Sequence, residues 1–533
     1  MTTRKRSLSI APRSGDSLRD SRIPSRRGRG AGRRLLRCAA MRHLTPLRLV
    51  LTAIAATLVA ACGDDARDGR TLALAECRLP RLAQAAKCAT LTVPEDRSRP
   101  DGRKIALHIA VLPANTLSPK PDPLFILAGG PGQAASTLGP FAALLNDVRT
   151  TRDIVLVDQR GTGRSAPLDC KPFAPDEQLE SLVDVDVLPR ARACTQELAA
   201  KGIDPAQYTT SAWIADLEAV RHALGYPRIN LWGGSYGTRV ALEYLRRHPD
   251  RIRSAVLDGV APPGMIVSLD VWPTRERALD AVLAACAASV SCRGAHPDVA
   301  ASLAALERTL GAQGRDVDIM DPRTGQPQRL RLTYTTVLGL LQPLIYVPES
   351  AAMLPEIVGR AAAGDYGPLL ATTSMTIADT AARMNAALHF SVTCAEDVPR
   401  ITPAARDAAL ASARTAPLAR TALAVCDVWP KGSAPADFAT PVTSNVPVLL
   451  LSGGLDPVTP PKYGDEVART LSNSRHIVAP GYGHIVSAHA CGPQLVARFI
   501  DQPGFEKLPA TCITHFEKST RPPMWPDRLG PRS

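Results

Sequence analysis

The chain has 533 residues, of which 45% are hydrophobic and 21% are charged, and its formal net charge is +13. Residues 1–61 hold 14 Lys and Arg against two Asp and carry +12, whereas the remaining chain, with 49 basic and 48 acidic residues, carries only +1. The composition therefore indicates a long globular body with a large core, and the body gives no electrostatic case for binding nucleic acid.

The first 61 residues are predicted to be a disordered basic extension followed by a signal peptide. Residues 1–40 are rich in Arg, Ser and Gly, a composition that favours disorder. The apolar run over 49–61 is short for a membrane span but typical of a signal-peptide core. It leads into Ala-Ala-Cys-Gly, which resembles a bacterial lipobox, so Cys62 is the predicted lipidation site; an ordinary secretory signal is the alternative. Met41 is a second candidate for the true start.

Ten cysteines remain after Cys38 and Cys62 are set aside, and none of them forms a metal-type C-x-x-C pattern. An even number of cysteines in an exported chain indicates disulfides. Pairing successive neighbours predicts Cys77–Cys88, Cys170–Cys194, Cys286–Cys292, Cys394–Cys426 and Cys491–Cys512.

Short apolar runs alternate with helical patterns along the body, which predicts an α/β fold with a mostly parallel sheet covered by helices on both faces. Residues 104–113 alternate and are predicted to form an antiparallel edge strand. Ser211 is the predicted cap of a helix that ends at Leu224. Further buried strands are predicted at 123–128, 153–157, 229–232, 256–257, 446–451 and 475–479.

The strand pattern lapses between about 265 and 440, where Ala, Leu and Arg at helical spacing predict a mainly helical insertion. The predicted organisation is an extension and signal peptide, a first core part, a helical cap, a second core part and a tail. The corresponding bounds are 1–61, 62–264, 265–440, 441–515 and 516–533.

The turn at Gly233-Gly234-Ser235-Tyr236-Gly237 follows a strand and precedes a helix. This G-x-S-x-G pattern is typical of a nucleophile elbow, in which glycines permit a strained turn that exposes the serine hydroxyl. Ser235 is therefore the candidate nucleophile, and the N–H of Tyr236 at the helix start is a candidate donor to an oxyanion.

A serine nucleophile needs a base and an orienting carboxylate. Asp456 and His484 each follow a buried-type strand on a glycine-containing turn, and the order Ser, Asp, His is that of α/β-hydrolases. His476 within its strand and His489 in the expected next helix are weaker candidates. Gly129 and Gly130, which open a Gly-Gly-Pro-Gly turn, are predicted to supply the second oxyanion donor.

Three motifs together resemble the proline iminopeptidase family of serine peptidases: Gly-Gly-Pro-Gly at 129–132, Asp-Gln-Arg-Gly-Thr-Gly-Arg-Ser at 158–165 and Gly-Gly-Ser-Tyr-Gly-Thr at 233–238. Leu-Asp-Gly at 257–259 and Gly-Gly-Leu-Asp-Pro-Val-Thr-Pro at 453–460 are similar to its exported, tripeptidyl aminopeptidase-like branch.

The resemblance implies an α/β-hydrolase sheet, a helical cap and release of short units from peptide N-termini, with no metal or cofactor. The position before Gly-Gly-Pro-Gly is His in the proline iminopeptidases proper but Ala128 here, which argues against a strict proline preference. The branch's cap motif places an acidic residue two after a cysteine, so Glu396, with Asp397 in reserve, is predicted to bind the substrate ammonium; a solvated surface pair is the alternative.

Asp158, Arg160 and Asp216 are predicted to be structural. The predicted partner is thus a peptide with a free N-terminus, and the predicted location is the bacterial envelope, by a lipid anchor, or the secreted fraction. Two other functions stay open at this point. The same triad would serve a carboxylesterase, and a non-catalytic lipid-anchored surface protein could keep the fold.

Overall fold

The computed structural model of the chain describes residues 72–171, 187–322, 324–381, 383–411 and 414–519. These residues belong to one compact unit that runs from Asp68 to Ser533. The predicted extension, the signal peptide and Cys62 lie outside the described residues, as does most of the predicted tail.

Among the described residues, nine strands form one sheet in the order β1-β2-β3-β5-β4-β6-β7-β10-β11. The pairs from β1 to β5 are antiparallel, and every pair from β5 onward to β11 is parallel. The predicted α/β class with a mostly parallel sheet is therefore confirmed. The strands are β1 Ala75–Cys77, β2 Ala86–Pro94, β3 Lys104–Leu112, β4 Leu124–Leu127, β5 Ile154–Val157, β6 Ile229–Gly234, β7 Ile252–Asp258, β8 Arg315–Met320, β9 Pro327–Leu332, β10 Val448–Gly453 and β11 Ser474–Ala479.

The central strands are buried on both faces because helices cover the sheet on each side. Side chains alternate along a strand, and in β5 Ile154 and Leu156 enter one hydrophobic cluster while Val155 and Val157 enter another. This explains why these strands have uninterrupted apolar sequences rather than an alternating pattern.

The prediction of an edge position for residues 104–113 is wrong. Strand β3 lies between β2 and β5, with Ile109 opposite both Ala89 and Val157. The second neighbour of β3 is β2, whose mixed sequence Ala-Lys-Cys-Ala-Thr-Leu-Thr-Val-Pro does not indicate a strand. The edge on this side is β1.

The α-helices of the described chain follow the strands closely in the core and dominate the segment between β7 and β10. They are α1 Gly139–Leu144, α2 Asn146–Arg149, α3 Leu188–Ala200, α4 Thr210–Ala223, α5 Tyr236–Arg247, α6 Val267–Ala288, α7 Val290–Ala295, α8 Val299–Leu310, α9 Tyr334–Leu341, α10 Pro348–Ala351, α11 Leu354–Ala362, α12 Gly367–Ala381, α13 Ala386–Glu396, α14 Pro403–Ala411, α15 Ala416–Ala424, α16 Pro461–Ala468, α17 Gly492–Asp501 and α18 Ala510–Glu517.

The N-cap of α4 is Thr209 and not Ser211 as predicted. The Thr209 hydroxyl accepts a hydrogen bond from the Ala212 N–H at 3.3 Å. Ser211 lies inside the first turn, and its buried hydroxyl has no hydrogen-bond partner among the described residues. The sequence offers three adjacent Thr and Ser residues, and the extended backbone at Thr209 decides which of them caps.

The segment between β7 and β10 is mainly helical, and most of its buried apolar residues form a hydrophobic cluster of their own. It also contains an antiparallel pair, β8 and β9, which the helical prediction omitted. The segment between β7 and β10 is called the cap below. Its predicted bounds at 265 and 440 stay a prediction.

All five predicted disulfides are present: Cys77–Cys88, Cys170–Cys194, Cys286–Cys292, Cys394–Cys426 and Cys491–Cys512. Successive pairing succeeds because each bridge joins segments that are adjacent in both sequence and space. Of the helices that the structure describes, none has the length and apolar character needed to cross a membrane.

Candidate active site

Ser235 occupies a strained turn between β6 and α5. Its backbone has φ 58° and ψ −127°, a conformation that a residue with a Cβ adopts rarely. The flanking glycines are required sterically, since a Cβ at Gly233 would collide with the Gly237 carbonyl and a Cβ at Gly237 with the Leu127 carbonyl. Ser235 is partly exposed while its neighbours Gly234 and Tyr236 are buried, so the turn presents the hydroxyl.

Asp456 and His484 form a buried acid–base pair. Asp456 Oδ2 lies 2.7 Å from His484 Nδ1, and the two residues are 2% and 8% exposed. The other carboxylate oxygen accepts the N–H groups of Val458 and Thr459, both at 2.8 Å. The Thr459 hydroxyl donates to Oδ2 at 2.8 Å. Asp456 can therefore hold one imidazole nitrogen as a donor and leave the other free to accept a proton.

The electrostatics of the pair suit a general base. Burial would raise the pKa of Asp456, but the adjacent His484 and the hydrogen bonds from Val458 and Thr459 outweigh burial and hold that pKa below its ordinary value. Burial would lower the pKa of His484, but the charge of Asp456 and the hydrogen bond to it prevail and raise that pKa. Asp456 thus stays ionised while His484 gains basicity.

The candidate nucleophile and the candidate base lie on the same side of the sheet, where the parallel strands end. Ser235 follows β6, Asp456 follows β10 and His484 follows β11. In the described structure no hydrogen bond joins the Ser235 hydroxyl to His484. Such bonds are often long or poorly aligned until substrate binds.

Asp258, at the end of β7, connects the elbow to the loop of the base. Its carbonyl accepts the Ser235 N–H at 2.9 Å. Its carboxylate accepts the N–H groups of Val486 at 3.0 Å and Ser487 at 2.7 Å. Burial raises the pKa of Asp258 to about 6. The Leu-Asp-Gly motif at 257–259 is part of the family resemblance, but it does not by itself indicate that Asp258 contacts the loop of His484.

Two further residues contact the candidate base, and neither of them is among the site residues predicted from the sequence. Thr459 bonds Asp456 and lies 3.3 Å from His484 Nδ1 through its hydroxyl. The carbonyl of Tyr346, in the cap, accepts the backbone N–H of His484 at 2.7 Å, and the Tyr346 ring meets the imidazole edge-on at 5.4 Å between centroids. Thr459 lies in the motif around Asp456, but nothing in the sequence around Tyr346 indicates contact with a residue 138 positions later.

The glycine turn after β4 approaches the nucleophile closely. A Cβ added at Gly129 would lie 3.0 Å from the Ser235 Cβ and 3.6 Å from its hydroxyl. Gly130 has φ 110°, which favours glycine. Tyr236 is the first residue of α5, so its N–H has no acceptor within the helix. Gly129 therefore lies beside the Ser235 side chain, and Tyr236, the next residue in the chain, has an N–H that is free to donate to a ligand.

Residues of the cap form hydrogen bonds with the backbone of this glycine turn. Gly132 accepts the Asn385 N–H at 2.8 Å, and the Ala134 N–H donates to the Arg383 carbonyl at 3.3 Å. A short antiparallel bridge between Gln133 and Met384 lies between these two bonds. The shape of the candidate oxyanion turn therefore depends on cap residues about 250 positions later in the chain.

Glu396 is buried at the end of α13, with 1% exposure. Its carboxylate accepts the Thr210 N–H at 2.5 Å and the Thr210 hydroxyl at 2.8 Å. The same hydroxyl lies 2.7 Å from the Tyr236 phenol oxygen. Burial raises the pKa of Glu396 to about 7. The solvated-surface alternative for this carboxylate is therefore excluded by its position.

Asp397 is buried as well, but its charge is matched by neighbouring cations. It pairs with Arg239 at 2.9 Å and with Arg400 at 3.1 Å, and it accepts the Val267 N–H at 3.0 Å. These contacts join α13, α5 and the start of α6, which is a structural arrangement.

The polar residues predicted to be structural have partners that fit this interpretation. Arg160 and Asp216 form a fully buried pair with two bonds of 2.6 and 2.8 Å. Asp158 accepts the Ser136 N–H at 2.8 Å and thereby ties its loop to the turn after β4. His476 bonds Ser452 and Asp465 rather than the triad residues, and His489 follows a short 3-10 turn rather than lying in a helix.

Groups of three or more His, Cys, Asp or Glu side chains placed to hold a metal ion are absent from the described ranges. The arrangement at the strand ends consists of a hydroxyl, an imidazole, a carboxylate and backbone N–H groups. These groups can carry out nucleophilic acyl transfer.

Comparison with known proteins agrees with the fold described above. A family model described as alpha/beta hydrolase fold matches residues 122–488, which include Ser235, Asp456 and His484. Serine protease Hip1 of Mycobacterium tuberculosis (strain ATCC 25618 / H37Rv) is 28% identical over 430 residues, covering 74% of this chain and 81% of that protein.

Two Streptomyces coelicolor relatives match shorter regions. Tripeptidyl aminopeptidase is 30% identical over 225 residues, which cover 40% of each chain. A probable proline iminopeptidase is 35% identical over 144 residues, covering 27% of this chain and 34% of that protein. The predicted resemblance and the prediction of a serine hydrolase enzyme are confirmed by these relatives. With the match over 122–488, the chain belongs to the alpha/beta hydrolase fold family.

Proposed function

We propose that the protein is an exported serine aminopeptidase that releases short units from the N-termini of peptides. The observation that carries the proposal is the buried Asp456–His484 pair at the same sheet edge as the strained turn of Ser235. The relatives named serine protease and tripeptidyl aminopeptidase support a peptide as the substrate.

In the proposed reaction, Ser235 Oγ attacks the scissile carbonyl and His484 accepts its proton. Collapse of the tetrahedral intermediate breaks the C–N bond, and His484 gives the proton to the leaving amine. Water then attacks the acyl-enzyme with His484 again as base, which releases the N-terminal unit and restores Ser235. Backbone N–H groups of Gly129 or Gly130 and of Tyr236 hold the oxyanion, and each donor contributes roughly 3–4 kcal/mol to the transition state.

Glu396 is the proposed partner of the substrate ammonium group. A desolvated charge needs a counter-charge, and in the described part of the chain Glu396 has hydrogen bonds from the uncharged Thr210 but no ion pair. Asp397, the reserve candidate, already pairs with Arg239 and Arg400.

Glu396→Gln tests this role. We expect hydrolysis of aminoacyl and tripeptidyl p-nitroanilides with free N-termini to weaken, while short-chain nitrophenyl esters lose little. Because the carboxylate must be charged to bind an ammonium, KM for free-N-terminal substrates should fall as pH rises through about 7. Glu307→Gln, at an exposed position on α8, is the matched control. Equal losses on amides and esters would contradict the ammonium role.

The reaction class is tested with a fluorophosphonate probe. The wild-type protein should be labelled at Ser235, and Ser235→Ala should not be labelled. Absence of labelling in the wild type would favour a non-catalytic surface protein. Cleavage of nitrophenyl esters without cleavage of any peptide amide would instead identify a carboxylesterase that uses the same three residues.

Export and lipid attachment at Cys62 complete the proposal. The five disulfides suit an oxidising compartment, and the leader pattern resembles that of a lipoprotein. Metabolic labelling with palmitate should mark the wild type and not Cys62→Ala. An unlabelled, freely soluble wild type would point to an ordinary secretory signal.

A further inference from the structure

A half-buried cation, Arg275, lies on cap helix α6 close to the base. Its Nη1 donates to Gln342 Oε1 at 3.1 Å and its Nη2 to the Tyr346 hydroxyl at 3.3 Å. Both acceptors are uncharged. Nε is buried without a hydrogen-bond partner, and within the described ranges Arg275 forms no ion pair.

Tyr346 connects this guanidinium to the catalytic edge of the sheet. Its carbonyl accepts the backbone N–H of His484 at 2.7 Å and its ring contacts the imidazole. The positive charge of Arg275 also acts on His484 and on His389, and the latter hydrogen-bonds the backbone of Pro131 in the glycine turn. Arg275 is therefore close to both the base and the candidate oxyanion turn.

The packing of Arg275 does not satisfy its charge. The guanidinium carbon lies 5.0 Å from the centre of the Trp272 ring, a contact that orients the side chain. A guanidinium has five N–H donors and binds carboxylates through two at once. A half-buried guanidinium that faces only neutral acceptors is suited to an anionic ligand.

We propose that Arg275 binds a carboxylate on the leaving-group side of the scissile bond. His484 gives its proton to the leaving amine, so groups that surround the base surround the leaving group. The carboxylate is either the C-terminus of a short peptide or the acidic side chain of the first residue after the cleaved bond. This inference rests on the proposed peptidase function and adds a substrate preference to it.

The test compares tetrapeptides that share Ala-Ala-Ala as the released unit. The first pair is Ala-Ala-Ala-Gly, which has a C-terminal carboxylate, and its amide, which has none. The second pair is Ala-Ala-Ala-Asp amide, which has a side-chain carboxylate, and Ala-Ala-Ala-Asn amide, which has none. We expect the wild type to favour the carboxylate-bearing member of at least one pair by roughly tenfold in kcat/KM, and the pair that responds identifies the source. In Arg275→Gln this preference should disappear, and in Arg275→Lys, which keeps the charge but not the paired donors, part of it should remain.

Arg277→Gln is the matched control, because it removes the same charge from an exposed position on the same helix. Equal loss of preference in Arg277→Gln would show a general field effect and overturn the site. Cleavage of Ala-Ala-Ala-p-nitroanilide without any carboxylate preference in the wild type would overturn this inference alone. Failure to cleave that p-nitroanilide or any of the peptides would overturn the proposed function and this inference with it.

Discussion

Asp456 receives three hydrogen bonds from residues that follow it closely, two from N–H groups and one from the Thr459 hydroxyl. The neighbouring His484 and, after it, the N–H groups of Val458 and Thr459 hold the pKa of this buried carboxyl below its ordinary value. The ionised carboxylate in turn raises the pKa of His484. The turn from Asp456 to Thr459 therefore contributes to the basicity of the candidate base.

The pH dependence of activity should reflect the raised pKa of His484. The free enzyme needs a neutral imidazole, so kcat/KM on a neutral p-nitroanilide should fall on the acid side with a midpoint above the ordinary value of about 6.5. Asp456→Asn should lower the rate by roughly 10⁴-fold and move the midpoint of the residual activity to lower pH. A midpoint that stayed in place would belong to another group, such as Glu396, whose pKa burial raises to about 7.

Thr459→Val should reduce kcat/KM by roughly 10- to 100-fold, because a hydrogen bond to a charged group is lost from a buried carboxylate. Thr459 acts through Asp456, so the acid-side midpoint should shift together with the rate. Thr459→Ser keeps the hydroxyl and should restore most of both. A rate loss with an unchanged pH profile, or no rescue by serine, would indicate a packing defect instead.

At the scale of elements, the cap and the turn after β4 act as one unit. The Asn385 N–H donates to Gly132, and Gln133 pairs with Met384, so cap residues set the position of backbone groups beside Ser235. The loop of the candidate base is held in a similar way, because the backbone N–H of His484 donates to the Tyr346 carbonyl. The cap thus orients groups at the catalytic edge of the sheet from both sides.

Gly132→Ala tests this coupling. Gly132 has φ 116°, and a Cβ there would lie 2.5 Å from the Asn385 carbonyl oxygen, so the turn must move. We expect kcat/KM to fall by roughly 100-fold, as for loss of one oxyanion donor. Gly364→Ala is the matched control, since Gly364 has φ 90° but no atom within 4 Å of the added Cβ.

The control variant should lose about 1–2 kcal/mol of unfolding free energy through backbone strain while its kcat/KM remains that of the wild type. Activity assays and urea unfolding of both variants separate the two effects. Full activity in Gly132→Ala would mean that the turn can relax without moving its donors.

At the scale of the whole molecule, five disulfides cross-link the described chain from the antiparallel end of the sheet to its last helix. Cys394–Cys426 joins the end of α13 to the segment after α15 and spans 32 residues, whereas Cys286–Cys292 spans six. Both pairs are buried, so the two disulfides differ mainly in the length of the chain loop that each one closes.

Replacing each pair by serines should therefore cost unequal amounts. Chain entropy predicts about 4 kcal/mol for Cys394–Cys426 and about 2 kcal/mol for Cys286–Cys292. Urea unfolding followed by fluorescence and circular dichroism measures both, provided that the two signals coincide. Equal losses, or the reverse order, would show that local strain and not loop closure governs the stabilisation.

The sequence by itself determined the features that depend on residues close together in the chain. Ser235, Asp456 and His484 were identified because each follows a buried apolar strand on a turn with glycine, and such turns follow local backbone rules. The disulfide pairs were predicted because each closes a short loop. The parallel sheet was predicted because strands and helices alternate in the chain.

Only the tertiary structure decided the partners of these residues. The place of β3 inside the sheet required a second strand whose sequence has no clear alternation. The hydrogen bond from Thr210 to Glu396, the contact of Tyr346 with His484 and the hydrogen bond from Arg275 to Tyr346 join residues far apart in the chain. Sequence spacing predicts contacts only between residues of the same turn or strand, whereas these contacts depend on how the cap packs on the sheet.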